Sequence, residues 1–119
     1  MAETAGYAAL IEEAAERVRV KNMTQGVREE ISELVLAAIA DMNRQGIDTE
    51  RLCPDSATVS GMKPLAVRAV MLYVKAHFGV GGSDSEAMRY QTCYDSLVAS
   101  MSLTAEYMKG GADNAGYGV

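Results

Sequence analysis

With 119 residues, 49% of them hydrophobic and only 6% aromatic, the chain suffices for one domain with a modest core and is too short for two. Tryptophan is absent and Met numbers eight, so the filling must come from aliphatic and thioether side chains that suit helix-on-helix packing. A net charge of −5 argues against a protein whose task is to grip nucleic acid, because affinity for phosphates comes largely from clustered Lys and Arg.

Residues 6–21 read as a first helix, Ala-rich, with Glu13 and Arg17 at the i,i+4 spacing that gives weak ion-pair support. Its apolar stripe of Leu10, Ile11, Ala14 and Val18 is narrow, and Val18-Arg-Val20 also suits an extended segment. Thr24 is a suitable N-cap for a second helix that runs to about Arg44 and is stopped by Gly46. Val27, Ile31, Leu34, Val35, Ala38, Ile39 and Met42 recur there at helical spacing and predict one buried face. Leu36 lies off that stripe, and Arg28, Glu29, Glu30 and Glu33 crowd the solvated side.

Residues 46–62 lack helical period and carry turn-formers at Pro54-Asp55 and Ser60-Gly61, so they read as a long loop, with a short strand around 57–59. Pro64 then opens a third helix over 64–78, in which only Arg68, Lys75 and His77 interrupt an apolar cylinder, and Gly79 suits its close. A helix apolar on nearly every side wants neighbours on nearly every side, more than so short a chain is expected to supply. Past the glycine elbow, Ser83 and Glu86 have the spacing of a capping box. From there Ala87, Tyr90, Tyr94, Leu97, Val98, Met101, Ala105 and Met108 keep one stripe on one face to about residue 109, a rod of roughly 38 Å at 1.5 Å per residue. The expected fold is all-α: a small bundle of three main helices plus a short N-terminal helix, forming a single domain over 1–109. The Gly-rich tail over 110–119 is expected to be flexible.

Chemistry-bearing residues are few. His77 is the only histidine, and its place at a helix end suits it to cover free carbonyls there rather than to act as a base. Gly79-Val-Gly-Gly-Ser83 precedes a helix but follows another, lacks a lysine, and is succeeded by Asp84 and Glu86, which repel phosphate. Adjacent pairs such as Glu12-Glu13 and Glu29-Glu30 do not face each other on a helix. Tyr90, Tyr94 and Tyr107 share a stripe with aliphatic residues and have few cations beside them, which favours packing over base stacking. Cys53 and Cys93 form no metal or redox spacing, so a reducing cytoplasm is the simplest setting. No enzyme activity, catalytic residue, metal or cofactor is expected. The longest apolar run in the third helix, Ala69 to Val74, falls far short of the roughly 20 residues a bilayer span needs, and the N-terminus has no basic stretch leading into an apolar one.

The stretch Pro64-Leu-Ala-Val-Arg-Ala-Val-Met-Leu-Tyr-Val-Lys-Ala-His-Phe-Gly79, followed by a helix with Met88-Arg-Tyr-Gln-Thr-Cys-Tyr-Asp-Ser-Leu97 at its core, resembles the small head-tail connector proteins of tailed bacteriophages. These are also labelled phage DNA-packaging proteins and occur in prophages. The resemblance follows helix order over 24–107 and is strongest over 64–107, while the 46–62 loop is longer than the usual link. It implies a mostly helical subunit that forms a homo-oligomeric ring beneath the portal after packaging and extends the DNA channel. Its partners would be other copies of itself, the portal protein, a downstream connector or tail protein, and DNA passing non-specifically, with no membrane. Its location would be the bacterial host cytoplasm during assembly and then the head-tail junction of the virion. Leu65, Val70, Leu72, Tyr73 and Phe78 would serve as core, with Tyr94 and Leu97 as the facing stripe. The candidate subunit interface comprises Leu36, Met88, Leu103, Tyr107 and Met108. An alternative is a small helical DNA-binding or regulatory adaptor; it needs a basic recognition helix, whereas the 24–44 helix holds more acids than arginines.

Overall fold

The computed structural model describes residues 7–18, 24–53, 59–78 and 84–109. Among these residues five α-helices follow one another: α1 Ala8–Arg17, α2 Gln25–Arg44, α3 Thr49–Leu52, α4 Pro64–His77 and α5 Asp84–Ser102. Single 3-10 turns at Val59–Gly61 and Ala105–Tyr107 complete the order. Among the described residues there is no strand; Ile47 and Met108 form one isolated antiparallel bridge. The architecture is the expected all-α bundle.

Local chemistry sets the helix boundaries. Thr24 caps α2, its Oγ1 accepting from the Val27 N–H at 3.1 Å. At the other end Gly46 takes φ +94°, a left-handed turn that a Cβ would disfavour. Proline occupies the first turn of α4, where its missing N–H costs nothing. Gly79, the Ser83 half of the capping box, most of the suggested strand at 57–59 and the tail over 110–119 lie outside the described residues. Val59 itself belongs to a 3-10 turn. The first helix is shorter than its sequence pattern, ending at Arg17, where Glu13 and Arg17 form the anticipated pair at 2.8 Å.

Helix α4 is the centre of the bundle and touches α1, α2 and α5. Ala66, Val67, Ala69, Val70, Met71, Leu72 and Val74 are all buried. The expectation that one chain cannot cover this helix is therefore corrected. The short α1 supplies the missing side through Leu10, Ile11, Ala14 and Ala15, all buried. Leu65, read as core, sits in the exposed first turn of α4 and keeps 37% of its surface in solvent.

Helix α5 is also shorter than the rod its periodicity suggests. It ends at Ser102, giving 19 residues or about 28 Å at 1.5 Å per residue. Hydroxyls compete for the last carbonyls: Ser102 Oγ donates to the Ala99 carbonyl at 2.7 Å and Thr104 Oγ1 to that of Ser100 at 3.3 Å. Beyond Leu103 the chain folds back as a strap across the end of α2. The Asp48 N–H donates to the Tyr107 carbonyl and the Lys109 N–H to that of Gly46, each at 2.9 Å. Arg51 donates to the Glu106 carbonyl, and Lys63 pairs with the Glu106 carboxylate at 3.4 Å.

The segment read as a loop holds structure of its own. Asp48 caps the single turn α3, and Ile47, Thr49, Leu52, Cys53 and Met62 are buried. Those side chains explain how the described parts of this segment, 46–53 and 59–62, are held: 47–53 form a plug beneath the strap.

Candidate functional site

Besides the ion pairs at the strap, titratable groups meet between α2 and α5. The hydroxyl of Tyr94, a residue only 1% exposed, donates to Asp41 Oδ2 at 2.7 Å. Arg44 Nη2 reaches Asp41 Oδ1 at 2.5 Å and Gln45 Nε2 reaches Oδ2 at 2.9 Å. Burial pushes the Asp41 carboxyl up, but the hydrogen bonds from Tyr94, Arg44 and Gln45 and the arginine charge outweigh it and hold the pKa below the ordinary 3.8. Burial and the adjacent carboxylate drive the Tyr94 hydroxyl the other way, well above its usual range. Acceptor and donor are each fixed in the protonation state the bond needs. The pair is a hydrogen-bonded clasp between two helices.

His77 does not cover its own helix end. Its Nε2 donates to Gln91 Oε1 at 2.7 Å, and Gln91 Nε2 donates in turn to Asp95 Oδ1 at 2.9 Å. The ring also lies 4.4 Å from that of Tyr73, which meets Tyr94 edge-on at 5.2 Å. Cys53 is buried, and that burial lifts its thiol to about 11, whereas Cys93 is exposed. Among the described residues no group of three or more His, Cys, Asp or Glu could hold a metal ion, and no helix is long and apolar enough to cross a membrane.

Two shallow depressions flank Arg17, one bordered by Lys75, Phe78, Glu86 and Tyr90, the other by Ser60, Met62, Leu65 and Arg68. Lys75 Nζ lies 5.5 Å from the centre of the Tyr90 ring and the Arg89 guanidinium 5.7 Å from it. Tyr90 is thus an aromatic floor already occupied by cations of its own chain.

The remaining candidate surface is the outer face of α5. Met88 is 69% exposed and Leu103 88% exposed. Between them Thr92, Ser96 and Ala99 are exposed as well, so that 88, 92, 96, 99 and 103 follow at steps of four, four, three and four along one face. This stripe carries an apolar side chain at each end and small residues in its middle. The other anticipated interface residues lie elsewhere: Leu36 is half-buried on α2, while Tyr107 and Met108 are half-buried and packed against the core through the strap. Sequence reasoning marked Met88 and Leu103 but missed the stripe joining them, which is legible once steps of three and four are counted through polar as well as apolar positions.

Comparisons with protein-family models, with curated proteins and with solved structures give no match for this chain. The fold defines a small all-α bundle whose described residues contain a clasp, a strap and an exposed helix face. Its function rests on what these can do.

Proposed function

We propose that the chain is a structural head-tail connector subunit of a tailed bacteriophage or prophage, a non-enzymatic adaptor that forms a ring under the portal, extends the DNA channel and joins head to tail. The observation that carries this reading is the outer face of α5, with exposed Met88 in its second turn and exposed Leu103 in the turn directly after its end. Monomeric domains tolerate scattered surface apolar residues, but these two stand at opposite ends of one exposed helix face. A ring needs two different patches on each copy that close on one another, and the exposed α5 face is a surface available for contact with another copy or with the portal. The resemblance over 64–107 adds support. The acidic balance, −5 over the chain, suits a duct past which DNA slides without adhering.

The test is negative-stain imaging of the purified chain with and without assembled phage portal protein. Rings stacked on the portal are expected. A chain that neither forms rings nor binds portals, yet shifts duplex DNA against nonspecific competitor at physiological salt, would transfer the assignment to the DNA-binding adaptor.

A further inference from the structure

Arg68 and Lys75 on α4 and Glu29 and Glu33 on α2 are among the charged residues that make no ion pair with a described residue, as are Lys109, Glu16, Glu50 and Asp95; only these two sets place two like charges on one side of one helix beside a leucine. Six ion pairs join described residues, engaging Arg17, Arg28, Arg44, Arg51, Lys63 and Arg89. Arg68 is exposed and, among the described residues, meets no carboxylate; Lys75 meets only the Tyr90 ring. Both belong to α4, seven residues and so two turns or about 10 Å apart, on one side of the helix. On α2, Glu33 is exposed and unpaired among the described residues, and exposed Glu29 takes only the Gln25 amide, at 3.0 Å. These acids stand one turn apart, about 6 Å.

Each charged pair has a leucine three residues from its nearer member. Leu65, 37% exposed, precedes Arg68, and half-buried Leu36 follows Glu33. Counted outward from the leucine, each helix carries a leucine and two like charges, positive toward the C-terminus of α4 and negative toward the N-terminus of α2, with the charges two turns apart on α4 and one turn apart on α2. Among the described residues no ion pair joins these two sets within the chain, although α2 and α4 pack on each other.

We propose that the α4 edge with Leu65, Arg68 and Lys75 docks on the α2 face with Glu29, Glu33 and Leu36 of a second copy. This deepens the ring reading and rests on it for the requirement that copies meet. Charge complementarity selects the occupant. Copies of a chain with net charge −5 repel in most orientations, and contact of either patch with its own equivalent would put like charges together. Joining unlike patches is a heterologous contact, the kind that propagates around a ring rather than ending at a two-fold dimer. A nucleic-acid backbone is the weaker occupant: two cations give a shallow electrostatic attraction, and Glu86 borders the depression beside Lys75.

The experiment is a charge swap read by sedimentation velocity. Arg68→Glu alone and Glu33→Arg alone should each weaken self-association about tenfold or more, since each sets like charges against one another. Mixing the two variants should restore it, because every contact between unlike chains is again complementary. Arg68→Gln and Glu33→Gln should fall between, and high salt should weaken the wild type. Unchanged circular dichroism and melting temperature show that the fold is kept. The proposal is overturned if the wild type is monomeric at every concentration, if the mixture associates no better than either variant, or if Arg68→Glu abolishes a DNA shift while leaving association intact. Portal capture without charge-swap rescue sinks the seam and leaves the connector reading standing; rescue without portal capture supports the seam and counts against the connector.

Discussion

The Tyr94 hydroxyl donates to Asp41 Oδ2 across 2.7 Å, fastening the middle of α5 to the C-terminal part of α2. Tyr94 also buries its ring edge-on against Tyr73 of α4, so one side chain joins three helices. Tyr94→Phe keeps the ring and removes the bond. The expected loss is about 1 to 1.5 kcal/mol of unfolding free energy, measured by urea denaturation.

The same clasp sets an acid limit. The folded-state pKa of Asp41 lies below 3.8, so its carboxylate contributes stability that is present above about 4 and is lost as pH falls through the folded value. Tyr94 has a raised pKa, so its contribution is complete below about 10 and declines as pH rises beyond that. Asp41→Asn should flatten the acid limb of a stability-versus-pH curve and leave the slope between pH 6 and 8 unchanged, within the roughly neutral range where Asp41 does not titrate.

Gly46 is held at φ +94°, and a Cβ there would come within 2.7 Å of the Met108 methyl. The methyl can swing aside, but the backbone cannot relax without breaking the bond from the Lys109 N–H to the Gly46 carbonyl. Gly46→Ala should therefore cost about 1 to 2 kcal/mol, seen as a lower urea midpoint and faster amide exchange in the strap.

The helix starts, the α2 face and the all-α class were legible because they depend on neighbours in sequence: a Thr24 cap, a Pro64 entry, a Gly46 stop. The end of α5 was not. Met101, Ala105 and Met108 continue the helical period, yet Met108 reaches the core by a different route, bridging to Ile47 after the chain turns at Leu103. Nor could periodicity tell that the buried faces of α4, from Ala66 to Val74, are covered inside the chain, since a stripe reports which face is apolar and not what covers it. The candidate surface was half legible. Met88 and Leu103 were singled out as they stand, whereas Tyr107 serves the strap.

Leu97 and Val98 separate stripe from core. Val98 is 1% exposed, while Leu97 is half-buried at the edge. Val98→Asp should leave an unpaired charge in the core and cost more than about 3 kcal/mol, abolishing cooperative unfolding. Leu97→Asp can turn its carboxylate toward water and should leave a folded, weakened chain, distinguishable in the same thermal scan.

The thiols give a direct check on burial. Cys93 is exposed, and Cys53 is buried with its thiol lifted to about 11. A thiol-disulfide reagent at pH 8 should titrate one group rapidly in the native protein and the second only on unfolding. Equal rates would mean that the α3 plug does not cover Cys53.

Assembly is the claim on which the functional account turns, and sedimentation velocity of the wild-type chain over a wide concentration range at low salt tests it most directly. The account predicts growth from the 12.7 kDa monomer to discrete larger species, reduced by Leu103→Ser without loss of fold. A single 12.7 kDa species at every concentration would contradict it.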